Sequence, residues 1–140
     1  MSVLKSKRGE SIIQFLETAR ELEVYTIKQC AKLPKRFMFL ITKDLVDLAK
    51  SVFNNVKSAN SVYPTNTAEL QLRTNYIIKA NCALQCLISQ LDIAREFIKH
   101  TDNDKAIKSK VWQTWADLIT NEIKMLSALR KNDKERYKDL

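Results

Sequence analysis

The sequence predicts an all-α fold, an antiparallel up-down-up-down four-helix bundle, from three observations. The 140 residues include one glycine and two prolines, too few turn-forming residues for a sheet of several strands. Hydrophobic residues make up 45% and charged residues 29% of the chain, as in a globular domain with one core. Proline-containing and polar breaks leave four segments, each with apolar residues at helical spacing. Four helices with short connections favour a bundle.

The first predicted helix covers residues 11–31 and follows a basic segment at residues 1–10. It ends before Leu33-Pro34, because proline disfavours helix in the residue that precedes it. Its apolar residues form two neighbouring rows on the helix surface. The longer row consists of Ile13, Leu16, Val24, Ile27 and Ala31, and the shorter row of Phe15, Ala19 and Leu22.

The second predicted helix covers residues 35–59 and opens with the apolar run FMFLI at residues 37–41. Such a run also suits a buried strand or the beginning of a membrane span. A span is excluded because Thr42, Lys43 and Asp44 follow at once, whereas about 20 apolar residues are needed. We expect FMFLI to form the first turns of a helix that is buried on more than one side. The helical stripe consists of Ile41, Leu45, Leu48, Val52 and Val56.

The third predicted helix covers residues 67–99 and has the most regular pattern. Apolar residues recur at intervals of seven, and the middle repeats add another apolar residue three positions later. This pattern is typical of long helix–helix packing in coiled coils and bundles. The seam consists of Leu70, Ile77, Leu84, Leu91 and Ile98, together with Ala80, Leu87 and Ala94.

A second apolar row on the third helix predicts an interface between subunits. The row is rotated away from the seam and consists of Ile78, Cys82, Cys86 and Ile93. One bundle core uses one stripe per helix, so a second stripe favours a cyclic homo-oligomer. The alternative is one broad seam in which Cys82 and Cys86 fill space inside the core.

The fourth predicted helix covers residues 104–129, with Asp102 or Asp104 capping its start. Residues 130–140 are almost wholly polar and are predicted to form a basic tail. The bundle therefore extends over residues 11–129. The apolar positions of the fourth helix include Ile107, Val111, Trp115, Leu118, Ile119 and Leu126.

The sequence lacks the local signatures of catalytic and metal sites, so we expect no enzyme activity, no cofactor and no metal. The single histidine, His100, stands at a helix end, where histidine is more often a cap than a ligand. The single glycine, Gly9, excludes a glycine-rich phosphate loop. Cys82 and Cys86 alone make an incomplete zinc site. Three cysteines without a CxxC pair are typical of a reduced, cytoplasmic protein, and we expect no membrane association.

Positive charge is the strongest functional signal in the sequence. The net charge is +8 and the pI is about 9.5, values that attract polyanions. We expect the cations to contact RNA, another nucleic acid or an acidic partner. The alternative is a solvated basic surface without a ligand. The clusters are Lys5, Lys7 and Arg8 before the first helix; Lys32, Lys35 and Arg36 around Pro34; and Arg130, Lys131, Lys134, Arg136 and Lys138 after the fourth helix.

Two stretches of the chain resemble the family called four helix bundle proteins. They are LEVYTIKQCAKLPKRFMFLITKDLVDLAKSVFNNVKSAN at residues 22–60 and AELQLRTNYIIKANCALQCLISQLDIAREFI at residues 68–98, and the resemblance extends over about residues 15–126. The shared pattern is an apolar first helix, a Leu-Pro-Lys turn and a long second helix. The family includes proteins encoded by intervening sequences in ribosomal RNA genes and the accessory variability determinants of diversity-generating retroelements.

The chain looks more like the retroelement branch of this family. The segment SVYPTNTAEL, residues 61–70, lacks the acidic, glycine-bearing character usual in the ribosomal branch, and the basic pI with Trp112 and Trp115 is similar to the retroelement proteins. That resemblance implies a homopentamer that binds a reverse transcriptase and RNA and supports mutagenic copying of a template RNA. The alternative is a protein of the ribosomal branch with an unknown structural or nucleic-acid-binding role.

Overall fold

The computed structural model describes the backbone of residues 2–140 and the side chains of residues 14–140. Residues 2–140 contain four long helices and no strand, so the prediction of an all-α fold is confirmed. The long helices are α1 (Ser2–Cys30), α2 (Lys43–Asn60), α3 (Thr67–Lys99) and α4 (Ser109–Arg136).

The four helices enclose one core. α1 packs against α2 and α4, and α3 packs against the same two neighbours, most extensively against α2. The buried apolar side chains form a single cluster to which every long helix contributes. Its fully buried members include Leu22 of α1, Leu45 of α2, Leu84 of α3 and Trp115 of α4. None of the described helices is both long enough and apolar enough to cross a bilayer.

α1 turns the shorter of its two apolar rows towards the core, and Val24 and Ile27 of the longer row are exposed. The buried row continues through a polar residue, Thr26. Its hydroxyl donates to the Leu22 carbonyl at 2.7 Å and accepts from the Trp115 indole at 3.0 Å. A pattern of apolar residues alone does not reveal this continuation. The apolar members of the buried row are Phe15, Ala19 and Leu22.

The chain enters α2 through two irregular helical turns. A 3-10 turn at Lys35–Phe37 is followed by a π-helical turn at Met38–Thr42. In the π turn the Lys43 N–H donates to the Met38 carbonyl, one residue further back than in an α-helix. α2 then continues regularly to Asn60. Its buried apolar residues are Leu45, Ala49, Val52, Val56 and Ala59, and Leu48 is half-buried.

The apolar run FMFLI is only partly buried. Phe37 and Ile41, one turn apart, are buried in the core, whereas Met38, Phe39 and Leu40 between them are exposed. The prediction that this run is buried on more than one side is therefore wrong. One face of the entry turn meets the core, and residues four apart share that face.

α3 has the predicted bounds and the predicted seam. It begins at Thr67, and the N-cap residue Asn66 accepts from the Glu69 N–H at 2.9 Å. The Glu69 carboxylate accepts in turn from the Thr65 N–H at 2.9 Å, an arrangement close to a capping box. The seam is confirmed, because Ile77, Ala80, Leu84, Leu87, Leu91, Ala94 and Ile98 are buried and Leu70 is half-buried.

α4 begins later than the sequence predicts. Its first residue is Ser109, so neither Asp102 nor Asp104 caps it. Residues 101–107 form turns and bends. Short polar side chains favour turns as much as they favour helix caps. Ile107 is buried and attaches this connection to the core before the helix starts.

α4 also ends later than predicted, at Arg136, so the first part of the expected tail is helical. A buried ion pair supplies the reason. The Asp133 carboxylate accepts from Arg73 Nε at 2.6 Å and from Arg73 Nη2 at 3.2 Å. Arg73 Nη1 donates to the carbonyls of Ala59 and Val62, both at 3.1 Å. This group of contacts joins the end of α4 to the beginning of α3 and the end of α2.

Candidate partner and nucleic-acid interface

The Pro34 corner, residues 32–42, joins α1 to α2 and contains one of the predicted cation clusters. Pro34 is extended (φ −60°, ψ 150°), and its carbonyl accepts from the Phe37 N–H at 3.0 Å. Phe37 is buried and packs edge-on against Phe97 of α3, with ring centroids 5.5 Å apart. This aromatic pair attaches the corner to the end of α3.

The three predicted cations of the Pro34 corner lie around this turn. Lys32, Lys35 and Arg36 are exposed, and none forms an ion pair with a side chain that the structure describes. The Arg36 guanidinium lies 5.0 Å from the centre of the Phe37 ring, within cation–π range. Lys35 and Arg36 lie in the turn that leads into α2, where cations oppose the helix dipole, so these two residues do not help α2 to form. They are open to an external anion.

A groove of about 420 Å³ opens beside these cations. Lys35 and Lys50 line it, and no acidic residue is among its described lining residues. Outside the groove, Phe39 is 82% exposed and Leu40 is also exposed. The corner therefore combines apolar surface with positive charge. The apolar wall of the groove includes Ile27, Ala31, Pro34, Met38 and Val46.

Sequence reasoning identified the cations of the Pro34 corner but missed its exposed apolar surface. A signal was present in the spacing. Phe37 and Ile41 continue the α2 stripe to Leu45 in steps of four, so they take the inward face of the entry turn. The three apolar residues between them then have no place in the same core.

The cations at the end of α4 are also exposed. Lys138 pairs with Glu135 at 3.1 Å, and the other four form no ion pair with a described side chain. Asp133, an acid of the same segment, is buried against Arg73 and so does not offset this surface charge. The surface there is consequently more positive than the sequence indicates. The exposed cations are Arg130, Lys131, Lys134, Arg136 and Lys138.

The third predicted cluster, Lys5, Lys7 and Arg8, lies outside the residues whose side chains are described, as does Ile13 of the longer α1 row. The backbone of this cluster belongs to α1. The first helix therefore begins earlier than residue 11, where the sequence predicts its start.

The second apolar row of α3 faces outward. Cys82, Cys86 and Ile93 are exposed and Ile78 is half-buried, so the row is not part of a broad internal seam. Residues 80–91 contain no charged side chain at all, although 29% of the chain is charged. An uncharged and partly apolar outer face is a common property of interaction surfaces.

Glu122 on α4 is a buried carboxyl that the sequence analysis did not single out. It is fully buried, and both carboxyl oxygens lack a hydrogen-bond partner among the described residues. Burial raises the pKa of Glu122 to about 8. Its position continues the apolar stripe of Trp115 and Ile119 and precedes Leu126. That interruption of a stripe by an acid is the signal that could have identified it.

Two further ionisable side chains, His100 and Cys30, lie at a helix end and in the core. Among the described side chains, no cluster of three or more His, Cys, Asp or Glu residues is placed to hold a metal ion. His100 is the C-cap residue of α3, with its Nε2 3.3 Å from a Glu96 carboxylate oxygen. Cys30 is buried, and this burial raises the pKa of its thiol to about 12. The candidate interfaces of the described chain are thus the Pro34 corner, the end of α4 and the outer face of α3.

Comparisons with protein families, with curated proteins and with solved structures find no match to this chain. Function is therefore inferred from the charge and shape of the surface, together with the resemblance in sequence.

Proposed function

We propose that this protein is a non-catalytic accessory protein of a diversity-generating retroelement that binds RNA and a reverse transcriptase. In this role it supports mutagenic reverse transcription of a template RNA. The observation that carries the proposal is the exposure of two cation clusters, at the Pro34 corner and at the end of α4. All their members except Lys138 lack an ion pair with a described side chain. The sequence resemblance supplies the identity of the partners.

Contacts from these lysines and arginines to RNA phosphates account for the expected mode of binding. Each cation that neutralises a phosphate releases counterions, so the affinity falls as the salt concentration rises. Phosphate contacts position an RNA without selecting its sequence. Such binding is suited to holding an RNA template while a separate polymerase copies it.

We infer that the helices alternate in direction along the bundle. α4 has 28 residues and is about 40 Å long at 1.5 Å per residue. In this arrangement the Pro34 corner and the end of α4 lie at opposite ends, so one RNA that contacts both must extend along the bundle. Three contacts support the arrangement, because each joins the beginning of one helix or its entry turn to the end of another. They are Trp115 to Thr26, Phe37 to Phe97, and Arg73 to Asp133.

We further propose that the chain forms a cyclic homo-oligomer in the cytoplasm, a pentamer by the sequence resemblance. The exposed row on α3, which includes Cys82 and Cys86, is the surface that a second copy would cover. A ring of subunits repeats each cation cluster around the assembly. Repeated weak contacts to one polyanion raise the overall affinity well beyond that of one subunit.

The test is RNA binding by a triple variant in which Lys32, Lys35 and Arg36 are each replaced by Gln. We expect weaker binding of a labelled structured RNA in fluorescence anisotropy, with a salt dependence that is less steep by up to about three charges per engaged subunit. The melting temperature should stay the same or rise slightly, because Lys35 and Arg36 lie at the start of the turn into α2 and oppose the helix dipole.

The matched control removes the same charge elsewhere, with Lys57, Lys79 and Lys124 each replaced by Gln. All three side chains are exposed, and they lie outside the two clusters. Equal losses of RNA affinity in both triple variants would show a diffuse charge effect and remove the Pro34 corner from the proposal. Co-purification with a retroelement reverse transcriptase tests the protein partner separately.

A further inference from the structure

We infer that the apolar groove of the Pro34 corner binds an amphipathic helical segment of a partner protein, with acidic residues beside bulky apolar ones. The inference deepens the protein-binding half of the proposed function and rests on it. It concerns the apolar wall of the groove beside Met38 and the exposed Phe39, whereas the RNA-binding half uses the cations of the corner.

The first argument is the amount of apolar surface at one place. Phe39 and Leu40 are exposed to solvent, and Met38, which precedes them in the chain, lines the groove together with Ile27 and Val46. Scattered exposed apolar residues are normal on a protein, but a contiguous apolar patch beside a concave surface is typical of a binding site. The groove volume of about 420 Å³ lies within the usual range of ligand-sized clefts.

The second argument is charge, which selects among possible occupants. Lys35 and Lys50 line the groove and Lys32 is exposed nearby in the chain, whereas no acid is among the described lining residues. The acidic residue Asp47 on α2 is already paired with Lys43 at 2.9 Å. An acidic segment therefore meets complementary charge at the rim.

Two other occupants fit this groove less well, one because of its charge and the other because of the apolar wall. A second copy that docked symmetrically at this groove would bring Lys35 and Lys50 close to the same lysines of its partner. RNA would satisfy the lysines, but the apolar wall offers few polar groups for hydrogen bonds to base edges. Helix-in-groove recognition uses apolar anchors at spacings of three and four residues with charges outside them, and this fits both features of the surface.

The third argument is that the surface is formed by fixed backbone. Phe37 is buried against Phe97, and Ile41 is buried one turn later, so both sides of the exposed residues are anchored in the core. The π-helical turn between these anchors is a feature often found at functional sites. A preformed surface loses little conformational entropy when it binds a partner.

The experiment measures binding of three fluorescein-labelled helical peptides to the full-length chain. The first has leucines at positions i, i+3, i+4 and i+7 and glutamates elsewhere, the second replaces the glutamates with lysines, and the third replaces the leucines with serines. We expect only the first peptide to bind. The protein variants are Ile27→Gln in the groove wall and Phe39→Ser outside it, each of which should weaken binding by about tenfold or more.

The control is Tyr63→Ser, which removes another aromatic residue of similar exposure (75%) far along the chain from the corner. It should leave peptide affinity unchanged. Ile27 is 43% exposed and Phe39 more so, and circular dichroism should show that both variants fold. Equal binding of the acidic peptide to all variants, or equal binding of all three peptides, would overturn the inference.

RNA affinity and mass of the same variants separate this inference from the proposed function. Ile27→Gln and Phe39→Ser change no charge, so RNA affinity and sedimentation mass should match those of the unmodified chain. Loss of RNA affinity would assign the apolar surface of the corner to RNA, and a reduced mass would assign that surface to a second copy; either result overturns the inference. Groove-dependent peptide binding by a chain that does not bind RNA would support the inference and refute the RNA-binding half of the proposed function.

Discussion

The guanidinium of Arg73 and the carboxylate of Asp133 form a buried, two-bond ion pair where three helices meet. Replacing Asp133 with Ala leaves Arg73 buried without a counter-charge. We expect this change to lower the free energy of unfolding by about 3–5 kcal/mol in urea denaturation. The control Asp139→Ala alters an exposed acid near the chain end and should change it by about 0.5 kcal/mol or less.

The double variant Arg73→Met with Asp133→Leu tests the same pair by removing both charges together. Removing both charges leaves no unpaired ion, so much of the lost stability should return. The carbonyls of Ala59 and Val62 then lose a donor, which limits the recovery. A double variant less stable than Asp133→Ala would show that the guanidinium supports the fold mainly through these carbonyls.

Glu122 makes stability depend on pH in a defined direction. The pKa of this carboxyl rises from its ordinary 4.5 to about 8 in the folded chain. Between these values the folded state holds a proton that the unfolded state has lost, so the free energy of unfolding falls as pH rises. Across this range the free energy of unfolding falls by about 1.4 kcal/mol per pH unit. The stability that the protonated Glu122 contributes is present in full below pH 4.5 and is lost by about pH 8.

Glu122→Gln isolates this effect. The amide does not titrate, so the decline in stability between pH 4.5 and about 8 should flatten, and the variant should be the more stable protein at pH 8. Chemical denaturation at several pH values measures both. Glu135→Gln, an exposed acid on the same helix, is the control and should keep the pH dependence of the unmodified chain. Identical slopes in the two variants would mean that Glu122 is charged or solvated in the folded chain.

Leu84→Ala tests the seam of α3. Leu84 is completely buried, and its truncation leaves a cavity in the middle of the bundle, so we expect a loss of about 2–5 kcal/mol. Lys79→Ala on the outer side of the same helix should change stability by about 0.5 kcal/mol or less. Comparable losses of stability in thermal melts of the two variants would mean that the face of α3 with Leu84 is not the one that packs in the core.

Cys82→Glu tests assembly through the outer face of α3. A charge inside a subunit interface must be desolvated without a partner, so the variant should sediment as a smaller species while its helix content stays the same. Asn81→Glu adds the same charge at an exposed neighbouring position that lies off the row, and it should retain the assembly. A chain that sediments as a monomer at micromolar concentration before any substitution would refute the oligomer proposal.

The sequence predicted α3 best because its signals are local. The seven-residue repeat identifies the buried seam, and the hydrogen bond that caps the start of the helix joins two residues only three positions apart, Asn66 and Glu69. The start of α4 was missed because Asp102 and Asp104 suit a turn as well as a cap. Local propensity does not distinguish these two uses, and the burial of Ile107 decides between them.

The charge of the candidate interface was predictable from the sequence, and its apolar surroundings only in part. Lys32, Lys35 and Arg36 can be read directly as cations on either side of a proline. Whether Phe39 faces solvent depends on which side of its turn meets the core; the run FMFLI alone does not reveal that side, whereas the continuation of the α2 stripe through Phe37 and Ile41 indicates it. Asp133 likewise looks like a surface acid, because its partner Arg73 is 60 residues away in the sequence.

The three thiols of the chain fall into two classes that a chemical reagent can distinguish. Cys30 is buried and its raised pKa leaves almost no thiolate at neutral pH, whereas Cys82 and Cys86 are exposed. A maleimide dye should therefore modify the folded chain at two positions, both on the outer face of α3, and reach the third only after unfolding. The rate of dye incorporation thus reports on this face directly, with no engineered cysteine, whenever another molecule covers it.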